Sequence, residues 1–172
     1  DQERKGWFRR VRVGVAGAWY VPAVAASASA PPVPAAGVGA TPASRTRTPT
    51  LRLERRCWGA GERVVVGIDE VGRGAWAGPV TVAALVPPPD HLRGVRDSKE
   101  LTRDEREVVA ARVRGWAVAI GVGHASYEEC DALGMTAALR AAGRRALAQL
   151  AALGYEPDRI ILDGNHDYLG LG

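Results

Sequence analysis

Val64-Val65-Val66-Gly67-Ile68-Asp69-Glu70-Val71-Gly72-Arg73-Gly74 is the stretch on which the fold turns. Its β-branched residues suit a packed, pleated surface, so Val64, Val65, Val66 and Ile68 predict a buried strand. Two adjacent carboxylates follow where that strand leaves the core, a place where they are held rigidly without being sealed from water. Side-by-side carboxylates repel unless a cation lies between them or one takes a proton. At neutral pH a hard divalent ion such as Mg²⁺ or Mn²⁺ resolves the conflict at least cost. Glycines on both sides of Arg73 let the main chain come close to a ligand. An Asp-Glu pair at a strand end is commonly just solvated; the Gly-Arg-Gly turn and a second acidic strand end set this one apart.

That second end is Asp163, after Ile160-Ile161-Leu162 and before Gly164. If its strand lies beside the first, Asp163 meets Asp69 and Glu70 at one edge of the sheet, where open α/β sheets place their ligands. Alone it reads as the start of an Asp-Gly turn, which needs no function.

Around these two strands the periodicities predict a mixed α/β order. A short amphipathic helix spans Thr50 to Ala60, with Leu51, Leu53, Cys57 and Trp58 as its candidate buried side. Strands follow over Arg63 to Asp69 and Gly78 to Pro87, the second stopped by Pro87-Pro88-Pro89. Thr102 with Glu105 forms a capping box that opens a helix to about Arg114, closed by Gly115. A strand alternates over Trp116 to Ala125, with Val118, Ile120 and Val122 on one face. Ser126 with Glu129 caps a short helix to Leu133, a long helix runs from Thr136 to Leu153, and a last strand covers Arg159 to Asp163. Strands first and helix–strand alternation after indicate an α/β domain with a mixed sheet flanked by helices.

The 172 residues, 47% of them hydrophobic, suffice for one domain of ordinary size plus an appendage. Residues 1–56 hold ten Lys/Arg against three Asp/Glu, a net of +7; the remainder is net −3. The basic balance therefore belongs to the N-terminal segment, and by itself says little about nucleic-acid binding by the domain. From Ala23 to Pro49 the chain is mostly Ala, Pro, Ser, Gly and Thr, too poor in large apolar groups to offset ordering entropy. Residues 1–48 are accordingly expected to form a disordered Ala/Pro/Arg-rich extension, with 49–172 the domain. The apolar stretch Val13 to Ala26 is too short and alanine-rich to span a membrane. It imitates a secretory leader only weakly, since Pro22 interrupts it. Cys57 and Cys130 have no metal-ligand spacing and read as small apolar residues or thiols of a reducing, cytoplasmic compartment.

Four blocks stand in a telling order: Gly67 to Gly74 with Ala77-Gly78-Pro79-Val80, then Asp97-Ser98-Lys99-Glu100-Leu101, then Ile161-Leu162-Asp163-Gly164-Asn165, all preceded by Pro49-Thr50-Leu51-Arg52-Leu53-Glu54. Together they resemble the ribonuclease HII family, over about residues 49 to 172. The resemblance implies a ribonuclease H-like fold and a monomeric endonuclease that hydrolyses the RNA strand of RNA–DNA hybrids, including single ribonucleotides embedded in duplex DNA. It implies Asp69, Glu70 and Asp163 as catalytic ligands of Mn²⁺ or Mg²⁺. Two such ions about 3.5–4 Å apart would serve the attacking water and the leaving oxygen. It further implies that Gly72, Arg73 and Gly74 contact the 2′-hydroxyl that distinguishes RNA from DNA. Lys99 is a candidate for a backbone phosphate and equally a solvated loop residue; Asp97 is expected to shape that loop through a local bond. Arg144 and Arg145 are expected on the solvated face of the long helix.

The family also carries a fourth acidic ligand, a substrate-contacting tyrosine and C-terminal helices beyond the Asp-Gly-Asn block. None can be mapped here, and Asp167 and Tyr168 do not match them by motif, so the chain reads as a C-terminally truncated member. Two alternatives stay open: an inactive remnant that only binds hybrid duplex, and another metal-dependent phosphotransfer enzyme.

Overall fold

A computed structural model describes residues 7–10, 49–74, 79–163 and 167–170. Its elements are β1 (Trp7–Arg10), α1 (Arg52–Gly59), β2 (Val65–Val71), β3 (Val80–Val86), α2 (Arg103–Trp116), β4 (Ala119–Ala125), α3 (Tyr127–Leu133), α4 (Met135–Ala152) and β5 (Arg159–Leu162). A 3₁₀ turn at Ser98–Glu100 precedes α2. The strands form one sheet in the order β1-β5-β2-β3-β4. β2 and β5 are parallel, with Ile68 opposite Leu162; the other neighbours are antiparallel. This is the mixed sheet flanked by helices that the residue pattern predicts, with element ends moved by up to three residues; α2 runs through Gly115, its expected stop, to Trp116.

Both predicted capping boxes form. The Thr102 hydroxyl accepts from the Glu105 N–H while the Glu105 carboxylate accepts from the Thr102 N–H, and Ser126 and Glu129 do the same. Each arrangement satisfies two of the backbone donors that a helix start leaves without partners.

The core lies between one face of the sheet and α4. Val66 and Ile68 of β2, Val80, Val82 and Ala84 of β3 and Ile160 and Leu162 of β5 pack with Ala138, Leu139, Ala142, Ala146 and Leu150. On β4 the helix meets the small residues Ala119, Gly121, Gly123 and Ala125. A Cβ on Gly121 would collide with the Ala146 carbonyl, and one on Gly123 with the Ala142 carbonyl. Close helix–strand contact needs glycine there, so the buried face of β4 is its small one. Val118, Ile120 and Val122 do share a face as expected, but it is the more open one: Val118 is exposed and the other two are half-buried. The Gln149 side chain of α4 also reaches the outer edge of β4, accepting from the Val122 N–H at 2.9 Å and donating to the Val122 carbonyl at 2.7 Å.

Three expectations need adjustment or fall outside the description. Trp7–Arg10, within the stretch assigned to the extension, forms β1 and pairs antiparallel with β5 from Trp7↔Leu162 to Arg10↔Arg159. A strand at that position satisfies backbone groups that β5 would otherwise leave unpaired, a long-range gain that local composition does not show. Residues 1–6 and 11–48 lie outside the described residues, as do Ala77 and Gly78 of the first block and Gly164 and Asn165 of the last. Arg145 reaches solvent only in part, and its guanidinium is engaged: Nη1 and Nη2 donate to Glu129 at 2.8 and 2.6 Å, and Nη1 also to the His124 carbonyl at 2.6 Å. Arg144 is exposed, as expected.

Candidate active site

The carboxylates gather at one end of β2 and β5, and the sheet register gives each its direction. Glu70 is paired with Val82, so it points to the α4 side with the buried row Val66, Ile68 and Val82. Asp69 points to the opposite, open face, as does Val71. Asp163 follows the Ile68–Leu162 rung by one residue, and its N–H donates to the Ile68 carbonyl at 3.3 Å. It therefore stands beside Asp69, with Glu70 on the other side of the sheet edge. A strand's two-residue period and one parallel pairing suffice to bring these three groups together.

Their electrostatics show the mutual proximity. Asp69 is raised above its ordinary range, first because neighbouring atoms strip water from its carboxyl although the residue reaches solvent. The Glu70 N–H, donating to Asp69 Oδ1 at 2.8 Å, opposes that shift; repulsion from Asp163 and Glu70 reinforces it, and the Lys99 ammonium counters. Lys99 is thus close enough to the carboxylates to act on them, from the turn Ser98–Glu100 that Asp97 caps by accepting from the Lys99 N–H at 3.0 Å. The loop-shaping part expected of Asp97 is what the structure shows.

Val71 runs into the Gly72-Arg73-Gly74 turn. Gly72 has φ 97°, and a Cβ there would come within 2.5 Å of the Pro79 carbonyl oxygen, so this position admits only glycine. Gly74 has open space where a side chain would be, and Arg73 is exposed. Arg73 Nη1 pairs with Glu70 Oε1 at 3.3 Å, with the Arg73 side chain 54% exposed and that of Glu70 16%. All seven residues singled out from the sequence therefore sit at this end of the sheet.

Tyr168 was passed over. It is 1% exposed, packed under α4, and its hydroxyl is one of two buried side-chain polar atoms without a hydrogen-bond partner among the described residues. Burial first, then the charges of Glu70 and Asp69, push its phenol well above the usual range, with Arg73 acting the other way. Its hydroxyl thus lies within electrostatic reach of the carboxylates. The available signal was the apolar pair Tyr168-Leu169 following polar residues.

An oxygen-only donor set suits a hard divalent ion in preference to zinc, and the Tyr168 hydroxyl, on which the charges of Glu70 and Asp69 act, has no hydrogen-bond partner among the described residues. As the side chains stand, no group of three or more His, Cys, Asp or Glu among the described residues encloses a common point. Glu70 is turned to Arg73 and Asp69 to its neighbour's N–H, so convergence requires these side chains to rotate.

Comparison with known proteins agrees with the geometry. Residues 66–169 match the family model of ribonuclease HII. The chain belongs to the ribonuclease HII family. It is 54% identical over 127 residues to a ribonuclease HII of Streptomyces avermitilis, covering 71% of this chain and 52% of that protein. It is 42% identical over 132 residues to one of Synechococcus sp., covering 74% and 58%. The chain thus spans about half the length of these curated relatives. A crystal structure of a mutant Bst-RNase HIII superposes with TM-score 0.51 at 25% identity, over 63% of this chain and 40% of that one. Family and neighbour both carry the ribonuclease H-like fold expected from the sequence. No helix of the described residues is long and apolar enough to cross a membrane.

Proposed function

We propose that this chain carries the catalytic half-site of an endonuclease that hydrolyses the RNA strand of RNA–DNA hybrids, single ribonucleotides in duplex DNA included. The observation that carries the reading is the meeting of Asp69, Glu70 and Asp163 at one sheet end with the Gly72–Gly74 turn and Lys99 beside them. Mn²⁺ or Mg²⁺, as one ion or a pair, would be held by these three carboxylates and would supply Lewis-acid activation of the water and the leaving oxygen. Lys99 meets a backbone phosphate of the bound strand as a point charge. Backbone groups of Gly72, Arg73 and Gly74 face the sugar, where a 2′-hydroxyl marks a ribonucleotide. The reading includes a monomer in the cytoplasm; the thiol of Cys57, buried beside Glu62 and pushed up to about 11, is kept protonated and unreactive there.

The failure of the carboxylates to enclose a common point favours one alternative, binding of hybrid duplex without cleavage. Incubation of a duplex bearing one ribonucleotide with Mg²⁺ or Mn²⁺ separates the two. Metal-dependent nicking beside the ribonucleotide, lost in Asp69→Asn, is expected; retained duplex binding with no nicking in either metal would leave the binding module.

A further inference from the structure

In the core under α4, on the face of the sheet from which Glu70 projects, lies a buried hydroxyl with no hydrogen-bond partner among the described residues, that of Tyr168. Tyr168 is held from both sides. Arg140 Nε donates to its carbonyl at 3.0 Å, and its ring passes within 3.7 Å of the place a Cβ on Gly143 would occupy, while Leu169 fills the rest of that gap. The Asp167 carboxylate accepts the Gly170 N–H at 3.0 Å and closes the turn behind it. Such anchoring leaves the phenol little freedom to find solvent, and a buried hydroxyl without a bond carries a desolvation cost that native structures rarely leave standing. Glu70 leaves β2 on the same α4 side of the sheet on which Tyr168 is packed with Ile68 and Val82, and its charge acts on the phenol. Among the described residues the Glu70 carboxylate has one polar contact, at 3.3 Å, to an arginine that is more than half exposed.

We propose that Tyr168 is a positioning residue whose hydroxyl bonds Glu70 when that carboxylate leaves Arg73 to ligate a divalent cation. The inference rests on the metal reading of Asp69, Glu70 and Asp163. A carboxylate has four lone-pair sites, so one oxygen can face the ion while the other accepts from the phenol. The bond fixes the rotamer of the ligand and spares the ion part of the cost of orienting it, as groups outside a metal's ligand set commonly do. The orphaned hydroxyl of the resting state and the weak Arg73–Glu70 contact then have one explanation: each is half of an exchange. Arg73, once released, is free for the substrate's phosphate.

Tyr168→Phe removes the hydroxyl and keeps the ring. In the resting state that hydroxyl bonds nothing, so the variant's thermal midpoint without metal should equal or exceed that of the parent chain. Calorimetric titration with Mn²⁺ should show about tenfold weaker binding, the lower end of what such partners contribute. Asp69→Asn, titrated in parallel, marks the site. Mn²⁺ binding that Asp69→Asn abolishes and Tyr168→Phe leaves at parental affinity overturns the inference alone. A Tyr168→Phe chain that loses resting stability and metal affinity in step overturns it too, because the hydroxyl is then structural. A parent chain that takes up no Mn²⁺ removes the metal reading and the inference with it.

Discussion

Arg145 meets Glu129 through two nitrogens and a backbone carbonyl besides, whereas Arg73 touches Glu70 once, at 3.3 Å, with most of its length in water. Arg159 and Glu62 resemble the first pair, with Arg159 Nε 3.0 Å from both carboxylate oxygens and both residues largely buried. Residues of one chemical kind are thus saturated where they hold α3 to α4 or join β5 to the chain before β2, and left undersatisfied at the carboxylate end. A saturated pair has nothing left to offer a ligand. An undersatisfied one costs little to open, since exposed pairs contribute on the order of 1 kcal/mol or less. The glycines do not divide the same way: Gly121 and Gly123 face backbone, and so does Gly72 at the carboxylate end, while Gly74 meets no atom of the described residues within 4 Å.

The contrast is broken most forcefully by Asp69→Asn. Loss of a ligand should lower single-ribonucleotide cleavage roughly a thousandfold, several kcal/mol of transition-state stabilisation, while the fold is not weakened. Because Asp69 is raised above its ordinary 3.8 in the folded chain, its ionisation costs stability, so the variant should melt at or above the parent at pH 7. That advantage should vanish below 3.8, where both states are protonated. A variant that melts lower at pH 7 would assign Asp69 to the scaffold.

Gly123→Ala should show the opposite split. The Ala142 carbonyl cannot yield as a side chain can, so overpacking should cost about 3 kcal/mol of stability in denaturant titrations. Glu129→Gln comes next, at about 1 kcal/mol once solvent screening of a pair that is one-third exposed is allowed for. Arg145 and the Ser126 N–H hold Glu129 down to about 2, below its ordinary 4.5. Its contribution is therefore complete above 4.5 and lost as pH falls toward 2, and melting curves of parent and variant should converge across that window. Parallel curves from pH 7 to 2 would contradict the assignment. Lys99→Ala should be the mildest: unchanged melting, severalfold weaker duplex binding, and a salt dependence shallower by about one counterion.

The strands and both capping boxes were legible because their causes are local: β-branched runs, a proline stop, a serine or threonine three residues before a glutamate. The gathering of acids at one sheet end was legible for a related reason, since β2 and β5 announce themselves as apolar runs ending in acid. What escaped depends on distant partners. Arg145 finds Glu129 sixteen positions away, Leu169 packs where a side chain on Gly143 of α4 would otherwise stand, and β1 exists as a strand only against β5. On β4 the larger residues drew the eye to Val118, Ile120 and Val122, yet the helix chose the face where backbone could approach backbone.

Gln149 has a consequence of its own. Its carboxamide offers one C=O and one N–H to Val122, the same pair of groups that a residue of an adjoining strand would present. The middle rung of the outermost strand is therefore already taken by an impostor of the peptide bond. A second polypeptide arriving in extended form would find the template spoiled at its centre, which opposes strand addition along this edge of β4.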